Sequence, residues 1–177
     1  MRIIAGSRKG ARIFAPKGHT RPTGDRVREA AFNLIGPVDD MAVLDLFAGS
    51  GAMGLEALSR GAASAVLVEA DREAQRTIER NLEKLGLKGA RLVKHDARRA
   101  LAAEAAAGRR YDLVLVDPPY RMLDSLLPTL STYLPSLLAE GGLVVLESPA
   151  REHPELPIPE RTSRKYGSVR LTVFEQA

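Results

Sequence analysis

The sequence predicts an α/β protein: a doubly wound, mostly parallel seven-stranded sheet that closes with a C-terminal antiparallel hairpin, preceded by a small N-terminal β-hairpin. Three observations carry that prediction. From residue 41 onward, short apolar runs of strand length alternate with amphipathic stretches of helical length. Such alternation implies right-handed crossovers that cover both faces of a parallel sheet. A glycine-rich loop, Gly49-Ser50-Gly51-Ala52-Met53-Gly54, stands between the first run and the first helical stretch. After Pro149 the alternation stops, and two runs flank Gly167-Ser168 as a hairpin would.

The elements follow in chain order. Residues 2–5 and 11–14 are apolar-rich stretches around a basic, glycine-bounded loop at 6–10, and they read as the N-terminal hairpin. Pro16, Gly18 and Pro22 mark a loop. A helix is expected over 24–35, where Val27, Ala30, Ala31, Leu34 and Ile35 share one face and Gly36-Pro37 ends it. Strands are expected at 42–47, 65–69, 91–95, 112–116 and 143–147, with helices near 51–60, 71–85, 97–107 and 122–139. The clearest helix is 71–85: Ala74, Ile78, Leu82 and Leu85 lie on one face, and Gly86 supplies the stop. Pro128 and Pro135 are expected to break the fourth stretch, because proline removes a backbone donor and clashes with the preceding turn. The closing hairpin pairs 161–166 with 169–175.

Composition narrows the function classes. The chain has 177 residues, 45% hydrophobic and 27% charged, which suits one folded domain with a substantial core. It contains no cysteine, so thiolate nucleophiles, cysteine-ligated metals and disulfides are excluded. His19, His95 and His153 lack metal-ligand spacing, and no metal site is expected. No apolar run approaches the roughly 18 residues of a membrane helix, and no secretory leader pattern follows the charged N-terminus. A cytoplasmic, monomeric protein without membrane association is the expectation. Residues 1–30 hold eight Lys or Arg and two acids, a net charge of +6, whereas the remaining 147 residues sum to −2. A basic head on a near-neutral body suits a polyanion such as nucleic acid. Arg2, Arg8, Lys9, Arg12, Arg21 and Arg26 are its candidate contacts.

The glycine loop supplies the first chemical constellation. Gly49 and Gly51 permit the tight turn and close approach of a nucleotide, and Phe47 and Ser50 lie in the same loop. Glu69 ends the next strand, eighteen residues after Gly51, where a carboxylate accepts hydrogen bonds from ribose hydroxyls. Asp45 precedes the loop. There it would repel a pyrophosphate but suits a cationic amino or sulfonium group. Asp96, after the third strand, can accept from an adenine amino group and also stands where a helix N-cap belongs. Acids after three successive strands favour an adenosyl cofactor carrying an amino acid over a dinucleotide. A nicotinamide oxidoreductase is the disfavoured alternative.

The fourth strand runs into Asp117-Pro118-Pro119-Tyr120. The prolines fix an extended chain and leave carbonyls as acceptors. Asp117 and the Pro118 carbonyl can each accept one N–H of an exocyclic amine, while Tyr120 stacks on its ring. Thr23 is a candidate for a cofactor carboxylate, an RNA phosphate or a helix cap.

These two segments resemble the class I S-adenosylmethionine-dependent methyltransferases that modify exocyclic amines. More narrowly, Arg2-Ile3-Ile4-Ala5-Gly6, Arg21-Pro22-Thr23-Gly24-Asp25-Arg26-Val27-Arg28-Glu29 and residues 45–62 resemble the bacterial 16S ribosomal RNA guanine-N2 methyltransferase family over nearly the whole chain; residues 151–165 match least. Where family members commonly carry Phe, this chain has Tyr120, and either ring can stack. The resemblance implies a Rossmann-like fold and S-adenosylmethionine as cofactor. It implies methyl transfer to a guanosine N2, with 16S rRNA or the assembling small subunit as partner. The catalytic residues would be Asp117, Pro118 and Tyr120. Residues 1–20 would be a basic hairpin appendage to a methyltransferase domain at 21–177, so that deleting 1–15 spares cofactor binding. Adenine-N6 methylation of DNA or RNA uses the same Asp-Pro-Pro-Tyr chemistry and stays open from the residues alone, as does a non-catalytic RNA-binding role.

Overall fold

The structure, a computed structural model, describes residues 1–18 and 23–177. His19 and Arg21 lie outside the described residues. Seven strands form one mixed sheet in the order β3-β2-β1-β4-β5-β7-β6. They are β1 (Ala42–Leu46), β2 (Ser64–Val68), β3 (Ala90–Val93), β4 (Tyr111–Val116), β5 (Leu138–Pro149), β6 (Glu160–Tyr166) and β7 (Val169–Glu175). The first five run parallel, and β7 pairs antiparallel with both β5 and β6. The helices are α1 (Asp25–Ile35), α2 (Ala52–Ser59), α3 (Arg72–Leu85), α4 (Ala97–Ala106) and α5 (Leu123–Leu137).

Two cores follow from side-chain alternation along the strands. Leu44, Leu46, Val66 and Val68 face α4 and α5, while Val43, Ala65 and Leu67 face α1, α2 and α3. Central strands covered on both sides must be apolar on both, which explains their unbroken runs. Asp45 is the exception within β1, a carboxylate set among them and only 2% exposed.

Two local expectations are corrected. Pro128 and Pro135 do not break the helix; α5 runs through both. Each interior proline costs about 3 kcal/mol. Against that, Leu123, Leu126, Leu130, Leu134 and Leu137 are all buried, each worth about 1.5–3 kcal/mol. The stripe outweighs the breaks. Strand β5 also starts five residues earlier than expected, at Leu138. The strand bulges at Gly141-Gly142 and stays bonded there: Gly141 donates to Gln176 and Gln176 donates to Gly142.

The N-terminal segment carries a single antiparallel bridge, Arg2 to Arg12, instead of two strands. It packs tightly. Ile3 and Ile13 are buried against Ala52, Leu55 and Leu85. Fully buried Glu56 of α2 accepts the amides of Ile4 and Ala5 at 2.9 and 3.0 Å and lies 3.6 Å from the buried Arg28 guanidinium. Arg28 in turn donates to the Arg2 carbonyl. A buried ion pair that also bonds the segment's backbone makes the first residues part of the body. Cofactor binding is therefore not expected to survive their deletion.

Candidate active site

Strand order reverses between β1 and β4. The chain leaves β1 toward α2 on one face and β4 toward α5 on the other, so a crevice opens at their carboxyl ends. Both chemical segments lie there.

The glycine loop is shaped by three left-handed residues, Phe47 (φ 60°), Gly49 (φ 59°) and Gly51 (φ 83°). A left-handed phenylalanine costs on the order of 1–3 kcal/mol and persists where packing holds it; the Phe47 ring packs on the core beneath the sheet. A Cβ at Gly49 would meet no atom within 4 Å, so the loop borders open space. At Gly54 the opposite holds: a Cβ would stand 2.1 Å from Leu67. Glycine there lets α2 lie close against both β2 and β1, where the Gly54 amide donates to Asp45 at 2.9 Å. Buried Asn81 of α3 braces the loop, donating to the Ser50 carbonyl at 2.9 Å.

Glu69 emerges from the end of β2 and accepts the amides of Gly49 (2.7 Å) and Asp71 (2.9 Å). Its position beside Gly49 fits a ribose-facing acid whose second role is to fix the loop. Asp96 is exposed and caps α4, accepting from the Arg99 amide at 3.1 Å. Asp45 lies within the crevice floor. Burial pushes its carboxyl up to about 8, opposed by the Gly54 amide and reinforced by the charges of Asp117 and Glu69. An acid-lined floor of this kind favours a cationic ligand group, because a nearby positive charge restores the ionised form. The residues present thus fit S-adenosylmethionine, whose sulfonium and ammonium are both cationic.

Asp117 follows β4, and its Oδ2 accepts the Thr23 hydroxyl at 2.6 Å. Thr23 therefore does not cap α1; the N-cap position is Gly24, without a side-chain bond. Burial raises the Asp117 carboxyl, and hydrogen bonds from Thr23 and Glu147 hold it down. Pro118 is buried, while the Pro119 carbonyl is taken by the Met122 amide at 2.8 Å. Tyr120 opens a short 3-10 turn and is 44% exposed. Asp45, Asp117 and Glu147 together line a cavity of about 20 Å³ beneath the crevice.

The basic residues divide. Lys9, Arg12 and Arg26 are exposed. Arg2 is exposed and pairs with Asp25 at 3.7 Å. Arg8 is half-buried and its Nε donates to the Leu85 carbonyl at 2.6 Å, so it anchors the end of α3. Three features escaped the sequence. Glu147 is a fourth strand-end acid, findable by extending the rule of residues 69, 96 and 117 to β5. Asn81 left no signal, since an asparagine inside an amphipathic helix looks solvent-facing. On α3, Arg72, Arg76, Arg80 and Lys84 recur every fourth residue and are all exposed. Arg80 and Lys84 lie 4.0 and 4.9 Å from the ring centre of Phe14, which is 37% exposed.

Residues 1–175 match the family model described as conserved hypothetical protein 95. YlbH of Bacillus subtilis, described provisionally as an rRNA methyltransferase, is 44% identical over 152 residues, covering 83% of this chain and 82% of that one. Ribosomal RNA small subunit methyltransferase D of Escherichia coli K12 is 42% identical over 152 residues, 84% of this chain and 74% of that protein. Among solved structures, the hypothetical protein TTHA0928 of Thermus thermophilus superposes with a TM-score of 0.86 at 39% identity, covering 99% of both chains.

Proposed function

This chain belongs to the conserved hypothetical protein 95 family, and from that premise we propose that it transfers a methyl group from S-adenosylmethionine to the exocyclic N2 amine of a guanosine in 16S rRNA. The observation that carries the reading is Asp117, held by Thr23 at 2.6 Å beside the exposed Tyr120 ring, at the crevice that the glycine loop borders. The named relatives support rRNA as the substrate class.

When bound, S-adenosylmethionine supplies an electrophilic methyl group. The chain's residues do the rest by placement. Glu69 holds the ribose, Asp96 the adenine amino group, and Asp45 the cationic amino-acid end, with Phe47, Gly49, Ser50 and Gly51 forming the loop around them. The guanine amine is a poor nucleophile because its lone pair is delocalised into the ring. Asp117 and the Pro118 carbonyl each accept one amine hydrogen, which turns the lone pair out of the ring plane toward the methyl group. Charge developing on nitrogen strengthens the Asp117 bond as transfer proceeds. Tyr120 stacks on the base. Lys9, Arg12, Arg26 and, from α3, Arg76 and Arg80 contact phosphates; Arg2 and Arg21 belong to the same basic head. The enzyme works in the cytoplasm as a monomer.

The test is methyl transfer from tritiated cofactor to 16S rRNA, free or in assembling small subunits, with mass spectrometry of the digested nucleosides. N2-methylguanosine is the expected product. N6-methyladenosine, or preferential binding of a nicotinamide dinucleotide, overturns the reading.

A further inference from the structure

Glu147 enters the site from β5, a strand outside both chemical segments. Thr23 Oγ1 lies between two carboxyls, 2.6 Å from Asp117 Oδ2 and 3.5 Å from Glu147 Oε2. The Tyr120 hydroxyl stands 3.4 Å from Glu147 Oε1. The Asp117 and Glu147 carboxyls thus flank one hydroxyl, and both line the small cavity that Asp45 closes from β1. Resting on the methyltransferase reading, we propose that Glu147 is a positioning residue: it holds the one proton that the two carboxyls share and donates it to Asp117, keeping Asp117 anionic and aimed at the amine.

Two carboxylates in contact cannot both stay ionised, so one of them carries a proton. Burial first, and then the charge of Asp117, push Glu147 up to about 8. Burial raises Asp117 as well, opposed by the bonds from Thr23 and Glu147. What places the proton on Glu147 is geometry: the Thr23 hydroxyl donates to Asp117 at 2.6 Å and lies 3.5 Å from Glu147, so it favours the ionised form of Asp117. The titratable groups facing Glu147 are Asp117 after β4 and Tyr120 on the 3-10 turn, with Asp45 of β1 across the cavity; β7 contributes the uncharged Leu171. With Thr23 and Glu147 both donating to it, Asp117 is fixed in orientation and keeps lone pairs for the amine. In the transfer, the N2–carbon bond forms as the carbon–sulfur bond breaks, and that electron pair stays on sulfur. The nitrogen then sheds one proton to ionised Asp117, which passes it to water.

The test compares wild type, Glu147→Gln and Glu147→Ala in methyl transfer to 16S rRNA at saturating cofactor, from about pH 6 to about 9.5. It adds ¹³C NMR of the side-chain carboxyls in the ligand-free protein. Wild-type turnover should hold steady and then fall as pH rises through about 8. Glu147→Ala should lower kcat about tenfold or more, the scale of one lost hydrogen bond to a charged group, and leave the KM for cofactor within about twofold. Glu147→Gln keeps a donor to Asp117, so its turnover should stay within about threefold of wild type and lose the alkaline fall. In the NMR titration, one glutamate carboxyl should titrate near 8 and be missing from Glu147→Gln. The proposal is overturned if Glu147→Gln is as impaired as Glu147→Ala, if it keeps the alkaline fall, or if Glu147 titrates near 4.5. A wild-type protein that methylates no guanosine overturns the function proposed above instead, and the carboxyl titration then still decides the shared proton.

Discussion

Asp117 is the residue on which turnover should depend most. Removing one group that bonds the transition state typically costs about 10²–10³ in rate, so Asp117→Ala should lose turnover on that scale. Cofactor affinity, measured by calorimetry, should change little, because Glu69 and Asp45 lie on the β1–β2 side of the crevice. Tyr120→Ala should weaken RNA binding through lost stacking, worth about 1–3 kcal/mol per base. Asp45 makes a different prediction. Its carboxyl, ordinarily near 3.8, is pushed to about 8. The folded state then keeps a proton that the unfolded chain releases, so this residue's stabilisation is full below about pH 4 and is lost as pH rises to about 8. Asp45→Asn, which still offers an oxygen to the Gly54 amide, should melt above wild type at pH 8, and the gap should close toward pH 4. The same variant should bind S-adenosylmethionine more weakly, having lost the charge that faces the cation. A melting temperature lower than wild type at pH 8 would contradict this account.

At the scale of elements, the sequence made the five parallel strands and the closing hairpin legible because central strands buried on both faces must be apolar throughout. It also placed both chemical segments at strand ends, where an open parallel sheet binds its ligands. It misjudged α5 because local proline chemistry is visible residue by residue, whereas the five-leucine stripe that overrides it gains its energy only against the sheet. Glu147 escaped because its meaning depends on β5 lying beside β4, an adjacency that the order of elements alone does not fix. The α3 cations escaped because Glu73, Glu79 and Glu83 interleave with them and make the helix look evenly charged. Glu73 takes the Lys17 amide and Glu79 pairs with Lys94, which leaves the cations as the outward stripe. Replacing Arg76 and Arg80 together by alanine should weaken rRNA binding and reduce the slope of log K against log salt by about 0.7–0.9 for each phosphate left unneutralised. An unchanged slope would remove α3 from the RNA-binding face.

For the whole molecule, the basic head is legible as charge but not as structure. Its charges suggested a detachable arm, whereas Ile3 and Ile13 are core residues and Glu56 is satisfied by the head's own backbone. Deleting residues 1–15 strips two buried isoleucines and leaves the carboxylate of Glu56 without its amide donors. Glu56 keeps its ion pairs with Arg28 and Arg60, so the loss is that of hydrogen bonds to a charged group, about 1.5–3 kcal/mol each, added to the lost burial of the isoleucines. The shortened protein should melt well below the full chain and lose cofactor affinity together with RNA affinity. If it keeps full cofactor affinity, the head is an appendage after all. Point changes at Lys9 and Arg12, both exposed, should by contrast weaken RNA binding alone.

The Asn81 side chain joins the N-terminal segment to the glycine loop through three bonds: it accepts the Phe14 amide at 2.7 Å and donates to the carbonyls of Phe14 at 3.0 Å and Ser50 at 2.9 Å. One amide group thus holds both the stretch that carries the head toward the crevice and the loop that borders the cofactor. A shift of the first on RNA binding would reach the second through this side chain, and thermodynamic reciprocity would make the exchange symmetrical. An rRNA fragment that tightens cofactor binding by some factor must itself be bound more tightly by that same factor when cofactor is present. Asn81→Ala should uncouple them, so that the two affinities, each measured with and without the other ligand, become independent. A protein coupled in this way would act as a two-input gate, in which commitment to an RNA target and loading of the methyl donor each set the strength of the other.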